Sequence, residues 1–408
     1  MAQINFTFGS VTAPKGFKAS GIHCGIRKNK EKKDLALIYS EALGDAAAIY
    51  TQNKVFGAPI AVTRRNLSNG KARAVICNSG NANTCNADGE QKAHMMCQLA
   101  AGALGIDPGD VIVASTGVIG QILPIEPIAD NIKTLADALS SDGAEDAAKA
   151  IMTTDTFDKQ AAVSFVVGGA LCKIGGIAKG SGMIHPNMAT LLCFLTSDVD
   201  IESALLSKAL KDVADKTFNM VSIDGDTSTN DMVSIIANKM AGNARICNEN
   251  SEDYKVFCEA LFIVMKKLTM MIAKDGEGAS KLLECTVTSA PDEKTAKIIA
   301  KSVITSSLFK AAMFGADANW GRVLCAIGYA DCDFDISRVS VSLASSKGSI
   351  LVCENGSGAP FSEEFAKKIL LEDTIYINIA LNSGSSEATA WGCDLTYDYV
   401  KINGDYRS

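Results

Sequence analysis

The chain is organised around a polar, glycine-containing segment that runs directly into an apolar one. The polar segment reads Lys179-Gly-Ser-Gly-Met-Ile-His-Pro-Asn-Met-Ala-Thr190, and Leu191-Leu-Cys-Phe-Leu195 follows it. Gly180 and Gly182 permit close backbone approach and unusual dihedral angles, and the apolar run has the length of a buried strand. The pattern predicts that the Thr190 hydroxyl lies where a loop enters the core. Loops of this kind also occur without any catalytic role.

The composition is that of a globular protein. Of the 408 residues, 47% are hydrophobic and 21% are charged, which is enough apolar material for one large domain or two. The formal net charge of −7 argues against nucleic acid as the main partner, because neutralising phosphates requires a positive surface. The N-terminal residues form no signal sequence, and no apolar run reaches membrane length. We therefore expect a cytoplasmic protein that binds neither nucleic acid nor a membrane.

The cysteines and histidines exclude several kinds of site. The thirteen cysteines, from Cys24 to Cys393, are odd in number and contain no Cys-x-x-Cys pair, so we expect reduced thiols in the core. The three histidines are His23, His94 and His185, which leaves little material for a zinc site or a histidine-based triad. A nucleophile in this chain must be activated by some other group unless one of these three histidines activates it.

Hydrophobic periodicity predicts a mixture of strands and helices. Strands are predicted at 35–39, 47–50, 59–63, 74–77, 111–114, 163–167, 171–174, 339–343, 350–353 and 376–381, with a hairpin turn at Gly168-Gly169. Helices are predicted at 93–104, 128–139, 201–213 with Asp200 as its cap, 254–272 and 295–313. Because strands and helices do not alternate strictly, the pattern favours an α+β fold of mixed α/β layers over a doubly wound sheet.

Familiar phosphate and calcium loops do not fit. The stretch 175–181 lacks the Gly-Lys-Ser/Thr order of a phosphate loop, and no Gly-x-Gly-x-x-Gly opens a helix after a strand. No Gly-x-Ser-x-Gly elbow occurs with a histidine partner. The carboxylates Asp224, Asp226 and Asp231 depart from EF-hand spacing because no glutamate occupies the twelfth position. A structural turn or an active-site loop is the better interpretation of this stretch.

The remaining route to an active nucleophile is a threonine that becomes N-terminal. Its own α-amine, with a pKa of about 7.7 to 8.0 in a model chain, then acts as the base. In the precursor the Thr190 hydroxyl must attack the Ala189 carbonyl, and a small side chain with glycines upstream lets the peptide reach the strained geometry required. The local sequence is therefore compatible with self-cleavage between Ala189 and Thr190.

The segment 179–190 resembles the self-cleaving segment of the ornithine acetyltransferases, the bifunctional glutamate N-acetyltransferases of arginine biosynthesis. The resemblance extends over nearly the whole chain, in the ordered motifs Pro14-Lys-Gly-Phe-Lys-Ala19, Asn78-Ser-Gly-Asn-Ala-Asn83, Ser115-Thr-Gly-Val-Ile-Gly120, Thr153-Thr-Asp-Thr156, Asp224-Gly-Asp-Thr-Ser-Thr-Asn230, Asp317-Ala-Asn-Trp-Gly-Arg322 and Tyr399-Val-Lys-Ile-Asn403. It implies an N-terminal-nucleophile-like αββα arrangement. It also implies cleavage into an α chain, 1–189, and a β chain, 190–408, that pair as a heterotetramer.

The resemblance also implies a mechanism. The Thr190 Oγ would attack the acetyl group of N2-acetylornithine, while Thr116 and the Gly117 N–H hold the oxyanion. The acetyl-threonine would then pass its acetyl group to glutamate, a ping-pong exchange. No metal and no bound organic cofactor is expected. Acetyl-CoA is left open as a second acetyl donor, because no residue of the sequence decides its use.

By the same resemblance, a further set of polar residues would line the substrate site together with Thr190: Thr153, Lys179, Glu277, Asn403 and Ser408. Lys179 can face the α-carboxylate of the substrate, and Glu277 can face its δ-ammonium or the Thr190 amine. Thr154 and Thr156 lie in the same short run as Thr153 and compete with it for this role.

Other interpretations stay open on the residues alone. Lys179 has the pattern of a solvated loop lysine, Glu277 of a helix-terminal carboxylate and Asn403 of a turn residue. His185 is expected in a loop and Cys193 in core packing. At the level of function, the alternatives are an N-terminal-nucleophile amidohydrolase or aminopeptidase that passes its acyl group to water, and a non-catalytic amino-acid-binding protein.

Overall fold

A computed structural model describes residues 4–185 and 191–404. These residues form two compact units. The first unit comprises 4–180, 191–218 and 227–268, and the second comprises 181–185, 219–226 and 269–404. Within the described ranges, no helix has both the length and the apolar character needed to span a bilayer.

Strands and helices are mixed along the whole chain. The strands are β1 Asn5–Phe6, β2 Phe17–Ile22, β3 Leu35–Tyr50, β4 Lys71–Asn81, β5 Val111–Val118, β6 Lys159–Val167, β7 Ala170–Lys179, β8 Leu192–Ser197, β9 Val221–Ser222, β10 Met232–Ala237, β11 Leu282–Ala290, β12 Ser340–Ser345, β13 Gly348–Glu354, β14 Ser357–Gly358, β15 Thr374–Ala380 and β16 Ser386–Cys393. The helices are α1 Ala58–Asn66, α2 Gly89–Leu104, α3 Glu126–Asp137, α4 Ala144–Ile151, α5 Ser203–Ala214, α6 Glu252–Lys274, α7 Glu293–Thr305, α8 Ser307–Phe314, α9 Trp320–Gly328, α10 Glu363–Leu370 and α11 Tyr397–Asn403. Short 3-10 helices lie at Ser10–Thr12, Leu67–Asn69, Pro108–Asp110, Phe218–Met220 and Ile336–Arg338.

The first unit is built on one sheet whose strand order is β1-β6-β7-β8-β10-β3-β4-β5, with β2 also paired to β3. Both faces of this sheet are buried. Leu35 and Leu37 pack in one apolar cluster with α2 and α3, whereas Ala36 and Ile38 pack in the other cluster with α4. Because successive strand residues point to opposite faces, a strand buried on both sides reads as a continuous apolar run.

The second unit has a sheet of order β14-β13-β12-β15-β11-β16-β9. Strand β15 shows clear alternation, since Ile375, Ile377 and Ile379 are buried while Tyr376 is exposed. Helix α7 packs on β11 and β16, and α10 packs on β12. The pattern is that of a sheet with one face toward a core and one face toward solvent.

Several sequence predictions are confirmed. The mixed α/β class is correct, β6 and β7 form the predicted hairpin across Gly168 and Gly169, and the apolar run after Thr190 is strand β8. Helix α2 ends at Gly105, whose φ of 67° is left-handed, which is the usual conformation for a residue that terminates a helix.

The predicted strand at 59–63 is wrong, because this run lies in helix α1. Pro59 occupies the first turn of α1, where its missing N–H costs nothing. Its neighbours Ile60, Val62 and Thr63 are all buried. A short run buried in this way has the same sequence pattern in a helix as in a strand.

Two boundaries also differ from prediction. The separate strands at 35–39 and 47–50 are halves of β3, which continues across a register shift between Tyr39 and Gly44. Asp200 does not cap α5, because the N-cap residue is Glu202 without a side-chain bond, and Asp200 instead pairs with Arg245 at 3.1 Å.

The cysteine prediction holds only in part. All thirteen are unpaired, but Cys85, Cys247 and Cys325 are exposed. The expectation that the thiols lie in the core is wrong for these three residues.

The single helix predicted at 295–313 is two helices, α7 and α8. They meet at Ser306, which has an extended backbone (ψ 109°) and whose Oγ accepts a hydrogen bond from the Phe309 N–H. Both helices bury apolar residues at helical spacing. Because the apolar periodicity continues across the break, the sequence pattern predicts a single helix, although a serine is a favoured N-cap residue.

The Ser306 cap can be tested by a single hydroxyl deletion. Ser306→Ala is expected to cost about 1 kcal/mol and so to lower the melting temperature by about 2 to 4 °C. The matched control is Ser307→Ala, one residue further on and exposed, which is expected to leave the melting temperature unchanged. Equal melting temperatures for the two variants would contradict the assigned cap.

Candidate functional site

Thr116 and Gly117 lie near the end of β5, where two backbones approach each other closely. In the parallel pairing with β4, Ser79 is level with Thr116 and Gly80 with Gly117. Gly117 has a φ of 132°, and a Cβ at this position would lie 2.4 Å from the Gly80 carbonyl carbon. Only glycine fits there. The strand predicted at 111–114 is too short, since β5 continues to Val118.

Buried polar side chains support this part of β5. The Ser115 Oγ donates to the Asn78 Oδ1 at 2.6 Å, and the Asn78 Nδ2 donates to the Asn81 carbonyl at 2.9 Å. Ser79 donates through its hydroxyl to the Ala150 carbonyl at 2.7 Å. Buried polar groups that are satisfied in this way fix a unique arrangement, so the network holds Ser115, the residue before Thr116, against strand β4.

Lys179 is the last residue of β7, and its ammonium contacts Thr116. The Lys179 Nζ donates to the Thr116 Oγ1 at 3.3 Å. Because an ammonium has donors only, the Thr116 oxygen must accept, and the Thr116 hydrogen remains available for another acceptor. The interpretation of Lys179 as a loop lysine is wrong, because it lies in a strand and pairs with Leu192 of β8.

The contact between Lys179 and Thr116 requires a strongly curved sheet. In the strand order, β8, β10, β3 and β4 separate β7 from β5. Neighbouring strands lie about 4.8 Å apart, so a flat sheet would hold the two residues more than about 20 Å apart. The long strand β3 allows the curvature, because residues 45–50 pair with β10 whereas residues 35–40 pair with β2, and β4 pairs with 35–39 and, after a register shift, with Gly44 and Asp45.

Asp155 connects two of the predicted substrate residues. Its Oδ1 accepts bonds from the Lys159 Nζ at 2.7 Å and the Gly180 N–H at 2.8 Å, and its Oδ2 accepts from the Thr153 N–H at 2.9 Å. One carboxylate thus fixes Thr153 and the residue that follows Lys179. The side chains of Asp155 and Lys159 are fully buried.

The surroundings of Asp155 keep it ionised. Burial raises the pKa of its carboxyl, but the ammonium groups of Lys159 and Lys179 and the bonds from Lys159 and the Thr153 N–H outweigh burial, and the pKa falls to about 2. The carboxylate is therefore charged at every pH at which the protein is expected to work.

Glu277 and Asn403 meet within the second unit. The Asn403 Nδ2 donates to the Glu277 Oε2 at 2.7 Å, and the Glu277 N–H donates to the Ser181 carbonyl at 2.8 Å. A Cβ on Gly182 would lie 2.3 Å from the Glu277 Oε2, so the glycine makes room for this carboxylate. Asn403 is the last residue of α11, which corrects its interpretation as a turn residue.

Asp224, also in the second unit, has a structural role. Its Oδ2 accepts from the Met183 N–H at 2.6 Å and its Oδ1 from the Ile184 N–H at 2.9 Å, and the Tyr399 hydroxyl donates to it at 3.3 Å. The carboxylate thereby fixes the backbone shortly before the 186–190 segment. Across the described residues, no group of three or more His, Cys, Asp or Glu side chains is placed to hold a metal ion.

The environments of His185 and Cys193 shift the pKa of each side chain so that both are uncharged at neutral pH. Burial and the nearby Lys301 lower the pKa of His185 to about 4, and its Nδ1 lies 3.1 Å from the Ser222 Oγ. Burial raises the pKa of the Cys193 thiol well above its ordinary value, so Cys193 serves packing, as predicted.

The predicted site residues thus fall into three groups. Thr116, Gly117, Thr153 and Lys179 belong to the first unit, and Glu277 and Asn403 belong to the second. Ala189, Thr190 and Ser408 lie outside the described residues.

Sequence reasoning missed the supporting roles of Asp155 and Asp224. Both lie in motifs that carried the family resemblance, Thr153-Thr-Asp-Thr156 and the 224–230 loop. An aspartate among hydroxyl residues is a frequent acceptor for backbone N–H groups. This pattern is the sequence signal that indicates a supporting role for both aspartates.

Comparison with known proteins assigns this chain to a family. The sequence profile of the ArgJ family matches residues 18–408. The chain is 49% identical over 401 residues to the arginine biosynthesis bifunctional protein ArgJ of Caldanaerobacter subterraneus subsp. tengcongensis, with 98% of this chain and 99% of that protein covered. It is 50% identical over 402 residues to the protein of the same name from Symbiobacterium thermophilum, with the same coverage of 98% and 99%.

Among solved structures, that of ornithine acetyltransferase complexed with ornithine from Mycobacterium tuberculosis is 35% identical to this chain. It covers 46% of this chain and 100% of its own length, with a TM-score of 0.42.

The full-length sequence matches extend over both units and all the motifs that carried the resemblance. They confirm the prediction of an acyltransferase of the glutamate N-acetyltransferase (ornithine acetyltransferase) type. The chain belongs to the ArgJ family of bifunctional arginine biosynthesis enzymes.

Proposed function

We propose that this protein cleaves itself between Ala189 and Thr190 and then transfers the acetyl group of N2-acetylornithine to glutamate through an acetyl-Thr190 intermediate. The observation that carries the proposal is the contact between Lys179 and Thr116 beside Gly117, in a chain of the ArgJ family. This arrangement offers a hydroxyl, a backbone N–H and a positive charge to one developing negative charge.

In the acylation step, the Thr190 Oγ forms a bond to the acetyl carbonyl carbon, and its proton passes to the α-amine of the same residue. The carbonyl oxygen becomes an oxyanion that accepts hydrogen bonds from the Thr116 hydroxyl and the Gly117 N–H. Collapse of this intermediate breaks the carbon–nitrogen bond, and the proton moves from the α-ammonium to the nitrogen of the departing ornithine. Acetyl-Thr190 and free ornithine result.

The second half of the reaction reverses these steps with glutamate. The glutamate α-amine attacks the acetyl carbon of the threonine ester, the same two donors hold the oxyanion, and the Thr190 oxygen departs with the proton that the amine of glutamate releases. The products are N-acetylglutamate and the regenerated enzyme, so no acetyl group is lost to water.

Lys179 suits a role in oxyanion stabilisation. Its ammonium leaves the Thr116 hydrogen free to donate to the oxyanion, and its charge favours negative charge developing nearby. Binding of the substrate α-carboxylate by Lys179 belongs to the same proposal, since a substrate oxygen can share the remaining two ammonium hydrogens.

The other substrate contacts rest on the resemblance and on local geometry. Thr153 is held by Asp155, and Glu277 is held by Asn403 and the Ser181 carbonyl. A fixed carboxylate suits a cationic group such as the δ-ammonium of ornithine. Ser408 is proposed as the remaining substrate-lining residue.

The wider biochemical setting is also part of the proposal. The curated relatives are named bifunctional, which favours acetyl-CoA as a second acetyl donor to glutamate. We propose that the 1–189 and 190–408 chains remain together as a heterotetramer in the cytoplasm and that the reaction needs no metal and no bound organic cofactor.

The mass and activity of Thr190→Ala test the central claim. Wild-type protein is expected to give two chains, whereas the variant remains one chain near 42.8 kDa and loses acetyl transfer on the order of 10⁴-fold or more. Thr190→Ser retains a hydroxyl and is expected to cleave and transfer at a reduced rate. Full transfer activity by uncleaved Thr190→Ala would exclude the proposal, and intact mass spectrometry with a transfer assay gives both readouts.

The choice of acceptor and donor separates transfer from hydrolysis. With N2-acetylornithine and glutamate, ornithine release is expected to match N-acetylglutamate formation, with parallel double-reciprocal lines because the exchange is ping-pong. Acetyl-CoA as sole donor is expected to yield N-acetylglutamate as well. Ornithine release at the same rate without glutamate would instead support the amidohydrolase alternative.

The pH dependence identifies the base. Since the neutral α-amine of Thr190 must accept the proton, kcat/KM is expected to rise with pH through a pKa of about 8. The pKa of His185 is about 4, so His185→Gln is expected to leave the midpoint of the profile in place. A midpoint that shifts or disappears in this variant would assign the base role to the histidine.

A further inference from the structure

Asn230 is a buried side chain in the first unit to which the mechanism above gives no role. It lies two residues before the start of β10 and is 6% exposed. Four hydrogen bonds from its amide group join three separate stretches of the chain. The inference drawn from them rests on the proposed function of Thr116 and Gly117.

Both the Nδ2 and the Oδ1 of Asn230 form hydrogen bonds. The Nδ2 donates to the Ala82 carbonyl at 2.5 Å and to the Ser115 carbonyl at 3.0 Å. The Oδ1 accepts from the Thr84 and Thr229 hydroxyls at 2.6 and 2.5 Å. Because carbonyl oxygens only accept, the NH₂ group must face Ala82 and Ser115, and the orientation of the amide is determined by its partners.

These bonds hold both sides of the predicted oxyanion site. The Ser115 carbonyl belongs to the peptide plane that leads into Thr116, so its bond to Asn230 fixes that plane. On the other side of Gly117, the Val118 carbonyl accepts from the Ala82 N–H at 2.9 Å. Asn230 and Ala82 together therefore bracket the Thr116-Gly117 pair.

The same side chain connects the Thr116-Gly117 pair to the strand that follows the nucleophile. Met232, two residues after Asn230, donates its N–H to the Leu191 carbonyl at 2.9 Å, and Leu191 is covalently bonded to Thr190. One side-chain amide and two peptide units thus join the Ser115 carbonyl, which precedes the oxyanion donors, to the residue after Thr190.

The Asn230 amide packs closely against the backbone of Gly57. A Cβ on Gly57 would lie 2.7 Å from both the Asn230 Nδ2 and the Thr84 Oγ1. The Gly57 N–H also donates to the Thr229 carbonyl at 2.9 Å. The amide therefore occupies a tight polar cavity that admits this side chain only because residue 57 is glycine.

We propose that Asn230 is a positioning residue for acetyl transfer, which sets the oxyanion donors Thr116 and Gly117 relative to the Thr190 nucleophile. It contacts no reacting atom and acts through the Ser115 and Ala82 carbonyls. Because the oxyanion exists only in the intermediate and the flanking transition states, a misplaced donor lowers kcat more than it changes KM.

The test compares two asparagines that flank the same strand. Asn230→Asp keeps the shape of the side chain but replaces two N–H donors by an oxygen that faces two carbonyls. Its matched control is Asn238→Asp after the other end of β10, because Asn238 is 2% exposed and its Nδ2 likewise donates to two oxygens, the Lys15 carbonyl at 2.8 Å and the Ser40 Oγ at 3.1 Å. Both variants lose the same kind of buried bond.

Steady-state kinetics and melting temperature are measured for both variants of the cleaved enzyme. Asn230→Asp is expected to lower kcat for acetyl transfer by roughly 10²-fold with a KM for N2-acetylornithine close to that of wild type, a loss of the size seen when an oxyanion donor is removed. Asn238→Asp is expected to lower the melting temperature without that loss of kcat. Equal kcat values for the two variants, or a defect of Asn230→Asp that lies only in KM, would overturn the inference.

Two further variants distinguish a failure of folding, a failure of the proposed function and a failure of the role proposed for Asn230. If Asn230→Asp does not fold, Asn230→Ser, which is too short to reach both carbonyls but introduces no repulsion, is expected to show the same selective loss of kcat. Thr190→Ala is assayed alongside. Retained acetyl transfer in Thr190→Ala would refute the proposed function itself. If Thr190→Ala loses acetyl transfer while the Asn230 variants keep the kcat of wild type, only the role of Asn230 is refuted.

Discussion

The arrangement of the first unit's polar residues depends on the carboxylate of Asp155. It neutralises Lys159, an ammonium with no exposed surface, and also accepts the Thr153 and Gly180 N–H groups. Removing one partner of a buried ion pair leaves the other charge uncompensated, at a cost of about 3 to 5 kcal/mol. This carboxylate therefore couples the stability of the fold to the placement of Lys179, the residue before Gly180.

A second constraint is the close approach of the Gly80 and Gly117 backbones on a sheet that curves. The curvature brings the end of β7 to the end of β5, so that the Lys179 ammonium reaches the Thr116 hydroxyl. In such a site, donors that are fixed before the reaction need no reorganisation when negative charge develops. The buried network of Asn78, Ser115 and Asn230 has the same effect, since satisfied polar groups resist displacement.

The errors in the predicted fold have specific physical causes. The short buried run at 59–63 lacks the periodicity that separates helix from strand, so its pattern predicts a strand where a helix forms. Apolar periodicity continues through the cap at Ser306, so the pattern predicts one helix in place of α7 and α8. Polar residues near the register shift of β3 resemble a turn, so the pattern predicts two strands in place of one. Burial decides the first case and strand pairing decides the third, whereas the local cap at Ser306 decides the break between α7 and α8.

Sequence alone determined the mixed α/β class, the strand after Thr190, the scarcity of histidine, and the family, because local periodicity, composition and ordered motifs are properties of the chain itself. It also selected Thr116, Lys179, Glu277 and Asn403 through the resemblance. Only the tertiary structure decided which of these residues meet. Lys179 contacts Thr116 and Asn403 contacts Glu277 across 63 and 126 residues of sequence, because sheet curvature and buried hydrogen bonds depend on packing between distant segments, which no local pattern encodes.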